Sequence, residues 1–169
     1  MKKLLSVMLL CIVLFAACTT ENPYERTVRK ISNALSADVS AGTIQESADT
    51  HGGFLGDGEF RAVITFTKEA GDVFASQVND DPYWHELPLS VNASRALYGE
   101  PGNWPLFTDE NGDALAPEVK NGLWFFRDRH RQNPEPADDT GLFDRYSWNF
   151  DLALYDIETM TLYFFALDT

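Results

Sequence analysis

Side chains capable of chemistry are concentrated in one glycine-rich segment, residues 49–59. They are Asp49, His51, Asp57 and Glu59, with four glycines among them between positions 52 and 58. Carboxylate and imidazole groups together suit divalent metal ions, and glycine permits positive φ angles and close backbone approach. One interpretation is a metal or anion site on a strand-to-strand turn, as a metal-assisted hydrolase would use. The other is a wide hairpin whose aspartates hydrogen-bond their own backbone.

A second concentration of charge is the basic island at residues 127–131. Arg127 and Arg129 stand two residues apart on a predicted strand, so their side chains share one face. The planar guanidinium group matches carboxylates well, which favours an anion clamp. The alternative is neutralisation by neighbouring acids, in a chain whose net charge is −13. The neighbouring acids are Asp128, Asp138, Asp139 and Asp144.

Other catalytic patterns are incomplete. Residues 109–113 begin like a calcium loop, but Ala114 replaces the required glycine and Lys120 the bidentate glutamate, which predicts a surface turn. His85 lacks the second histidine of a zinc-protease helix. The sequence therefore predicts no catalytic residue and no cofactor. Of the four tryptophans, which can stack on sugars or peptides, we expect only Trp104 to be exposed, because it lies in a turn-rich stretch.

The N-terminus has the pattern of a lipoprotein signal. A basic start is followed by an apolar run at residues 4–15, two alanines and Cys18. The run is shorter than the roughly 20 apolar residues of a transmembrane helix. We therefore predict a signal peptide at residues 1–17, a lipidated Cys18 with a short linker at 18–23, and a domain at 24–169.

Cysteine usage and charge agree with anchoring by lipid. The only other cysteine, Cys11, lies inside the predicted signal, so no intramolecular disulfide can form after cleavage. Two acyl chains on Cys18 suffice for stable membrane attachment. Loss of Lys2 and Lys3 changes the formal charge from −13 to −15. Such an acidic protein does not suit nucleic acid, which needs clustered Lys and Arg, whereas a basic protein or peptide is a fitting partner.

The spacing of apolar residues predicts a single α+β domain. An N-terminal helix, one or two further helices and an antiparallel sheet of about five strands are expected, closed by a C-terminal β-hairpin. Within that hairpin, alternation from Tyr146 to Leu154 predicts one apolar face that includes Trp148. The strand after it is apolar on both sides, as a covered strand would be. The predicted elements are helices at 24–35 and 68–78, a short helix ending at 97, strands at 43–48, 60–67 and 123–129, and the hairpin at 146–168.

Several motifs together resemble an uncharacterised family of small bacterial envelope lipoproteins. They are residues 51–58, Trp84 with 87–90, residues 97–99, residues 124–129 and the hairpin ending at Thr169. The resemblance implies a lipid-anchored location in the bacterial cell envelope, on the extracytoplasmic side of the membrane. It implies no activity, ligand or catalytic residue.

Three functional hypotheses follow. A non-enzymatic binding or interaction module is favoured, since no catalytic set is complete. The enzyme alternative is a metal-assisted hydrolase at Asp49, His51, Asp57 and Glu59. The third is an immunity or inhibitor protein whose acidic surface blocks a basic toxin or enzyme.

Overall fold

In a computed structural model, the described part of the chain comprises residues 22–52, 56–129 and 137–169. These residues form one six-stranded antiparallel sheet, in the order β1-β2-β6-β5-β4-β3, and three helices. The elements are α1 (Pro23–Leu35), β1 (Thr43–Asp49), β2 (Gly58–Thr65), α2 (Lys68–Val78), β3 (Trp84–Glu86), α3 (Val91–Tyr98), β4 (Gly122–Asp128), a 3-10 turn (Leu142–Asp144), β5 (Asn149–Asp156) and β6 (Thr161–Asp168). The predicted α+β class is confirmed.

The residue before each helix is an N-cap, whose side chain accepts a hydrogen bond from a backbone N–H of the first turn. The caps are Asn22, Thr67 and Ser90, with donor–acceptor distances of 3.0, 3.3 and 2.9 Å. Such caps contribute about 1 kcal/mol each. The helices then bury one apolar stripe against the sheet, as Ile31 and Leu35 show in α1.

Both faces of the sheet are buried. The first face packs against α1 and α2, and the second against α3 and the chain that follows it. The first face carries Phe60, Ala62, Ile64, Phe125, Ala153, Tyr155, Leu162, Phe164 and Ala166. The second face carries Trp124, Phe126, Phe150, Leu152, Leu154 and Phe165.

The C-terminal hairpin lies at the centre of the sheet, as predicted. Its strands pair from Asn149 opposite Asp168 to Asp156 opposite Thr161. The expected alternation fails at the start, because β5 begins only at Asn149 and Tyr146 is fully exposed. Asp151 lies on the face opposite Phe150, Leu152 and Leu154, as the alternation predicted, but it is buried as well. The reason is that helices cover both sides of β5.

The strand β3 was not predicted from the sequence. It has three residues, too few for a period-two pattern, and forms by pairing with β4. In the described ranges, no helix combines the length and apolar character needed to cross a membrane. The predicted signal peptide and Cys18 lie outside the described residues.

Candidate functional site

A pocket of about 420 Å³ opens on the first face at one end of the sheet, beside α1. At this end of the sheet β1, β4 and β6 finish and β2 and β5 begin, so the ends of five strands lie side by side. We call it the charged pocket. It is lined by Lys30, Asn33, Ala34, Asp49, His51, Arg127, Arg129, Asp151, Phe164, Ala166 and Asp168.

The ionisable side chains of the charged pocket form one continuous chain in which basic and acidic residues alternate. Successive nitrogen–oxygen distances along it lie between 2.6 and 3.0 Å. The order is Lys30, Asp49, His51, Asp168, Arg129, Asp151 and Arg127. The glycine-rich segment and the basic island, which are 68 or more residues apart in the sequence, therefore contribute to a single site.

Arg127 and Arg129 share one face, as the spacing predicted, and both bind Asp151. Arg127 Nη2 lies 2.6 Å from Asp151 Oδ2, and Arg129 Nε lies 2.9 Å from Oδ1. Arg129 also places Nη1 2.7 Å from Asp168 Oδ1. For Arg127 and Arg129, the neutralising acids are thus Asp151 and Asp168. Asp128 pairs with Arg145.

The pKa values of Asp151 and Arg129 reflect both their burial and their ion pairs. Only 4% of the Asp151 side chain is exposed. Burial raises the pKa of Asp151, and the charges and hydrogen bonds of Arg129 and Arg127 oppose that rise. For Arg129, burial acts to lower the pKa, but Asp168 and Asp151 outweigh it and the pKa is raised. Arg129 therefore stays charged.

The other half of the site is built on the β1–β2 connection. The backbone N–H of Thr50 donates to Glu59 O at 2.9 Å, which carries the hairpin pairing one residue beyond β1. Gly58 is required here, because a Cβ on it would come within 2.6 Å of the His51 backbone. Asp49 Oδ1 accepts from the His51 backbone N–H at 3.1 Å, the self-bonding turn that one interpretation predicted.

His51 bridges the two halves. Its Nδ1 lies 2.6 Å from Asp49 Oδ1 and its Nε2 3.0 Å from Asp168 Oδ2. The two ring nitrogens of His51 therefore each face one carboxylate, and the imidazole links β1 to the end of β6. Burial acts to raise the pKa values of Asp49 and Asp168, but hydrogen bonds to Lys30, Arg129 and His51 lower both.

Asp57 and Glu59 do not join this site. Asp57 is exposed, whereas Glu59 points to the second face, with Oε1 3.4 Å from Arg61 Nη1. Across the part of the chain that the structure describes, no three His, Cys, Asp or Glu side chains are grouped so as to hold a metal ion. Of the four predicted ligands, the fold brings together Asp49 and His51.

Three residues of the pocket were missed by sequence reasoning. Lys30 lies outside the apolar stripe of α1 and gave no signal in the sequence, yet its ammonium lies 2.9 Å from Asp49 and over the Phe60 ring. Asp151 gave the clearest available signal, since a carboxylate inside a strand covered on both faces requires a partner. Asp168, at the end of β6, gave no comparable signal.

Acceptors and donors are unequally satisfied in the charged pocket. Every carboxylate oxygen of Asp49, Asp151 and Asp168 accepts from a cationic group or from His51. Lys30 has three N–H donors and, among the described residues, gives one hydrogen bond, to Asp49. Arg127 Nη1 donates to none of the described residues. The arrangement therefore accommodates an added anion better than an added cation.

The described geometry turns two separately predicted sites into one pocket with spare hydrogen-bond donors. The order of the helices and strands does not by itself identify a function for the charged pocket. The resemblance to envelope lipoproteins stays a prediction. No family model, curated protein or solved structure matches this chain.

Proposed function

We propose that this chain is a lipid-anchored envelope protein that acts as a non-enzymatic binding module, with a small carboxylate as the ligand of its charged pocket. The observation that carries this proposal is the imbalance of hydrogen-bonding capacity. All six oxygens of the three aspartates accept hydrogen bonds, while Lys30 and Arg127 have N–H donors that bind none of the described residues. A ligand that supplies acceptors and negative charge completes the network.

The size and floor of the pocket support a small molecule. Its volume of about 420 Å³ lies within the approximate range of 300–1,000 Å³ that is typical of small-molecule sites. Phe164 and Ala166 form an apolar floor beneath the charged side chains. A carboxylate joined to a compact apolar group would therefore satisfy the spare donors and cover the floor at once.

The charges of the pocket favour a carboxylate over a dianionic group. A single negative charge fits the two-pronged guanidinium of Arg127 and the ammonium of Lys30. A phosphate carries close to two charges at neutral pH and would meet repulsion from Asp49, Asp151 and Asp168. We therefore expect a monocarboxylate to bind more tightly than inorganic phosphate.

The enzyme alternative has no comparable support. Asp49 and His51 lie together, but both are engaged with Lys30 and Asp168, and Glu59 lies across the sheet from them. No specific observation favours an inhibitor of a basic toxin either. A binding role needs only the geometry described for the pocket.

Calorimetric titration of the full chain in non-ionic detergent tests the pocket. We expect benzoate to bind more tightly than acetate, and the uncharged isostere benzamide to bind at least about tenfold more weakly than benzoate, a difference of about 1.4 kcal/mol. Lys30→Gln and Arg127→Gln should each weaken benzoate binding. Lys68→Gln is the matched control, because Lys68 pairs with Asp72 on exposed α2 surface.

Three results would overturn the carboxylate site. The first is equal affinity for benzoate and benzamide, since the charge would then be irrelevant. The second is unchanged benzoate affinity in both pocket variants. The third is failure of benzoate, acetate and phosphate alike to bind at millimolar concentration.

Anchoring is tested separately, because Cys18 lies outside the described residues. In cells fed a labelled fatty acid, the wild-type chain should become labelled and remain with the membrane fraction. Cys18→Ala should be unlabelled and released from the membrane. Equal labelling of both chains would reject lipid attachment at Cys18.

A further inference from the structure

A second candidate site lies in the turn that follows α3, at residues 99–105. Its centre is Trp104, which is 77% exposed although most of the tryptophan surface in a folded chain is usually covered. The turn is closed by paired backbone hydrogen bonds between Glu100 and Asn103, 2.9 and 3.0 Å long. The exposed indole is thus carried by a fixed turn and not by a loose loop.

The indole is also held from behind. Its six-membered ring lies against Gly112, where an added Cβ would come within 2.9 Å of Trp104 Cζ3. The loop of Gly112 is itself fixed, since Asp109 Oδ1 accepts from the backbone N–H groups of Asn111 and Asp113 at 2.8 and 2.9 Å. The segment that begins like a calcium loop therefore acts as a support for the ring. We call the ring and its neighbours in the turn the Trp104 platform.

Polar groups with unused acceptors stand beside the ring. Glu100 Oε1 accepts from Asn103 Nδ2 at 2.9 Å and pairs with Arg95 Nε at 3.0 Å. Glu100 Oε2 and Asn103 Oδ1 accept from none of the described residues. The depression between them has a volume of about 300 Å³ and is lined by Glu100, Gly102, Asn103, Trp104 and Pro105.

We propose that the Trp104 platform binds an uncharged pyranose sugar. The C–H face of a pyranose is apolar and packs flat on an indole, while its hydroxyl groups donate to planar acceptors at the edge of the ring. Glu100 and Asn103 supply such acceptors. The chain is strongly acidic, and Asp109 lies in the supporting loop, so a neutral sugar fits better than an acidic one.

The small area of the Trp104 platform favours a sugar over a folded protein as the ligand. A stable protein interface buries roughly 1,200–2,000 Å² in total, whereas the platform presents one ring and a depression of about 300 Å³. One sugar residue or the end of a glycan chain matches that area. The site is independent of the charged pocket, with which it shares no lining residue.

Titration of the full chain in detergent with methyl glucoside, methyl galactoside, methyl N-acetylglucosaminide and their disaccharides tests this proposal. Saturation-transfer NMR should show contact with the C–H face of at least one of them. Trp104→Ala should weaken that binding by at least about tenfold, or about 1.4 kcal/mol, and Trp104→Phe less. Tyr146→Ala is the matched control, because it removes another fully exposed aromatic ring.

Gly112→Ala sharpens the result, since it displaces the ring without removing it. It should weaken sugar binding while the thermal unfolding of the chain stays close to wild type or falls slightly. Absence of transfer to every sugar, or equal sugar binding by wild type and Trp104→Ala, would overturn the proposal. A sugar signal lost in Lys30→Gln but kept in Trp104→Ala would also overturn it, since the ligand would then lie in the charged pocket.

Discussion

The two ends of the first sheet face are built from the same strands and have opposite character. At one end Tyr155 packs against Phe74, Phe66 and the neighbouring aromatic rings, with centroids 5.0 and 6.1 Å apart. At the other end, four residues earlier on β5, Asp151 is tied to Arg127 and Arg129. Ala153 separates them on β5. A single strand thus supplies part of the core and part of the site.

The aromatic end is filled because a helix can approach it. Gly71 of α2 lies where a Cβ would come within 2.5 Å of Tyr155 Oη and Met160 Sδ. Phe74, one turn further along α2, reaches the sheet and is 1% exposed. At the charged end, the apolar side chains that line the pocket are Ala34 of α1, Ala166 and a single ring, that of Phe164. The space that the small side chains leave open is the charged pocket.

The difference also concerns stability. Burying aromatic side chains stabilises a fold directly, whereas a partly buried ion-pair network is often no more stabilising than apolar residues of similar volume. Stabilisation of the fold is therefore a poor reason for burying a carboxylate at position 151. A better reason is that Asp151 holds Arg127 and Arg129 at the wall of the charged pocket.

The largest effect is expected from Phe74→Ala, which empties the aromatic end. Phe74 contacts Phe66, Trp84 and Tyr155, so its loss should reduce the free energy of unfolding by about 3–5 kcal/mol. Denaturant titration measures this change. Benzoate affinity of the folded variant should equal that of wild type. A loss below about 1 kcal/mol would mean that this end is not the principal core.

Asp151→Ala breaks the charged end and should cost less. It leaves two guanidinium groups without their shared partner, which for a fully buried pair costs about 3–5 kcal/mol. The arginine side chains are 27% and 30% exposed, so water screens them and we expect about 2–3 kcal/mol. Asp151→Asn is the control that preserves shape. A fully wild-type denaturation midpoint in Asp151→Ala would show that the network is not organised around this carboxylate.

The same contrast explains what the sequence could and could not predict. The helix at 68–78 was predicted to the residue, because Thr67 caps it and its apolar stripe is local. Pairing of Asp151 with Arg127 depends on β4 and β5 being neighbours, which no local pattern states. Likewise, His51 and Arg129 meet through Asp168, and their convergence follows from strand order alone. Local periodicity therefore predicts elements and their faces but not which charges meet.

A smaller effect is expected from the pH dependence of stability. The folded-state pKa of Asp168 is lowered, as Arg129 and then His51 outweigh its burial. Its contribution is therefore complete above the unfolded pKa of about 3.9 and is lost as the pH falls through the lower folded value. Asp151 acts with the opposite sign, because burial raises its pKa.

Comparison of wild type with Asp168→Asn isolates this contribution. Unfolding free energies from urea titrations between neutral pH and pH 3 should fall more steeply for wild type at the acidic end. The two curves should run parallel above about pH 5. Parallel curves over the whole range would show that the contacts of Asp168 with Arg129 and His51 do not stabilise the fold.

The smallest effect is expected from Glu59→Gln, which compares the two sides of the sheet at one position of the glycine-rich segment. Glu59 lies 3.4 Å from Arg61 on the second face, and a pair of this kind contributes roughly 0–1 kcal/mol. The denaturation midpoint and the benzoate affinity should both stay close to wild type.

Asp49→Asn should lower benzoate affinity, because Asp49 holds Lys30 and His51 in the pocket. If Glu59→Gln instead weakened benzoate binding as much as Asp49→Asn, or abolished a rise in melting temperature on adding zinc, the two carboxylates would act on one ligand. The hydrolase hypothesis would then replace the binding module.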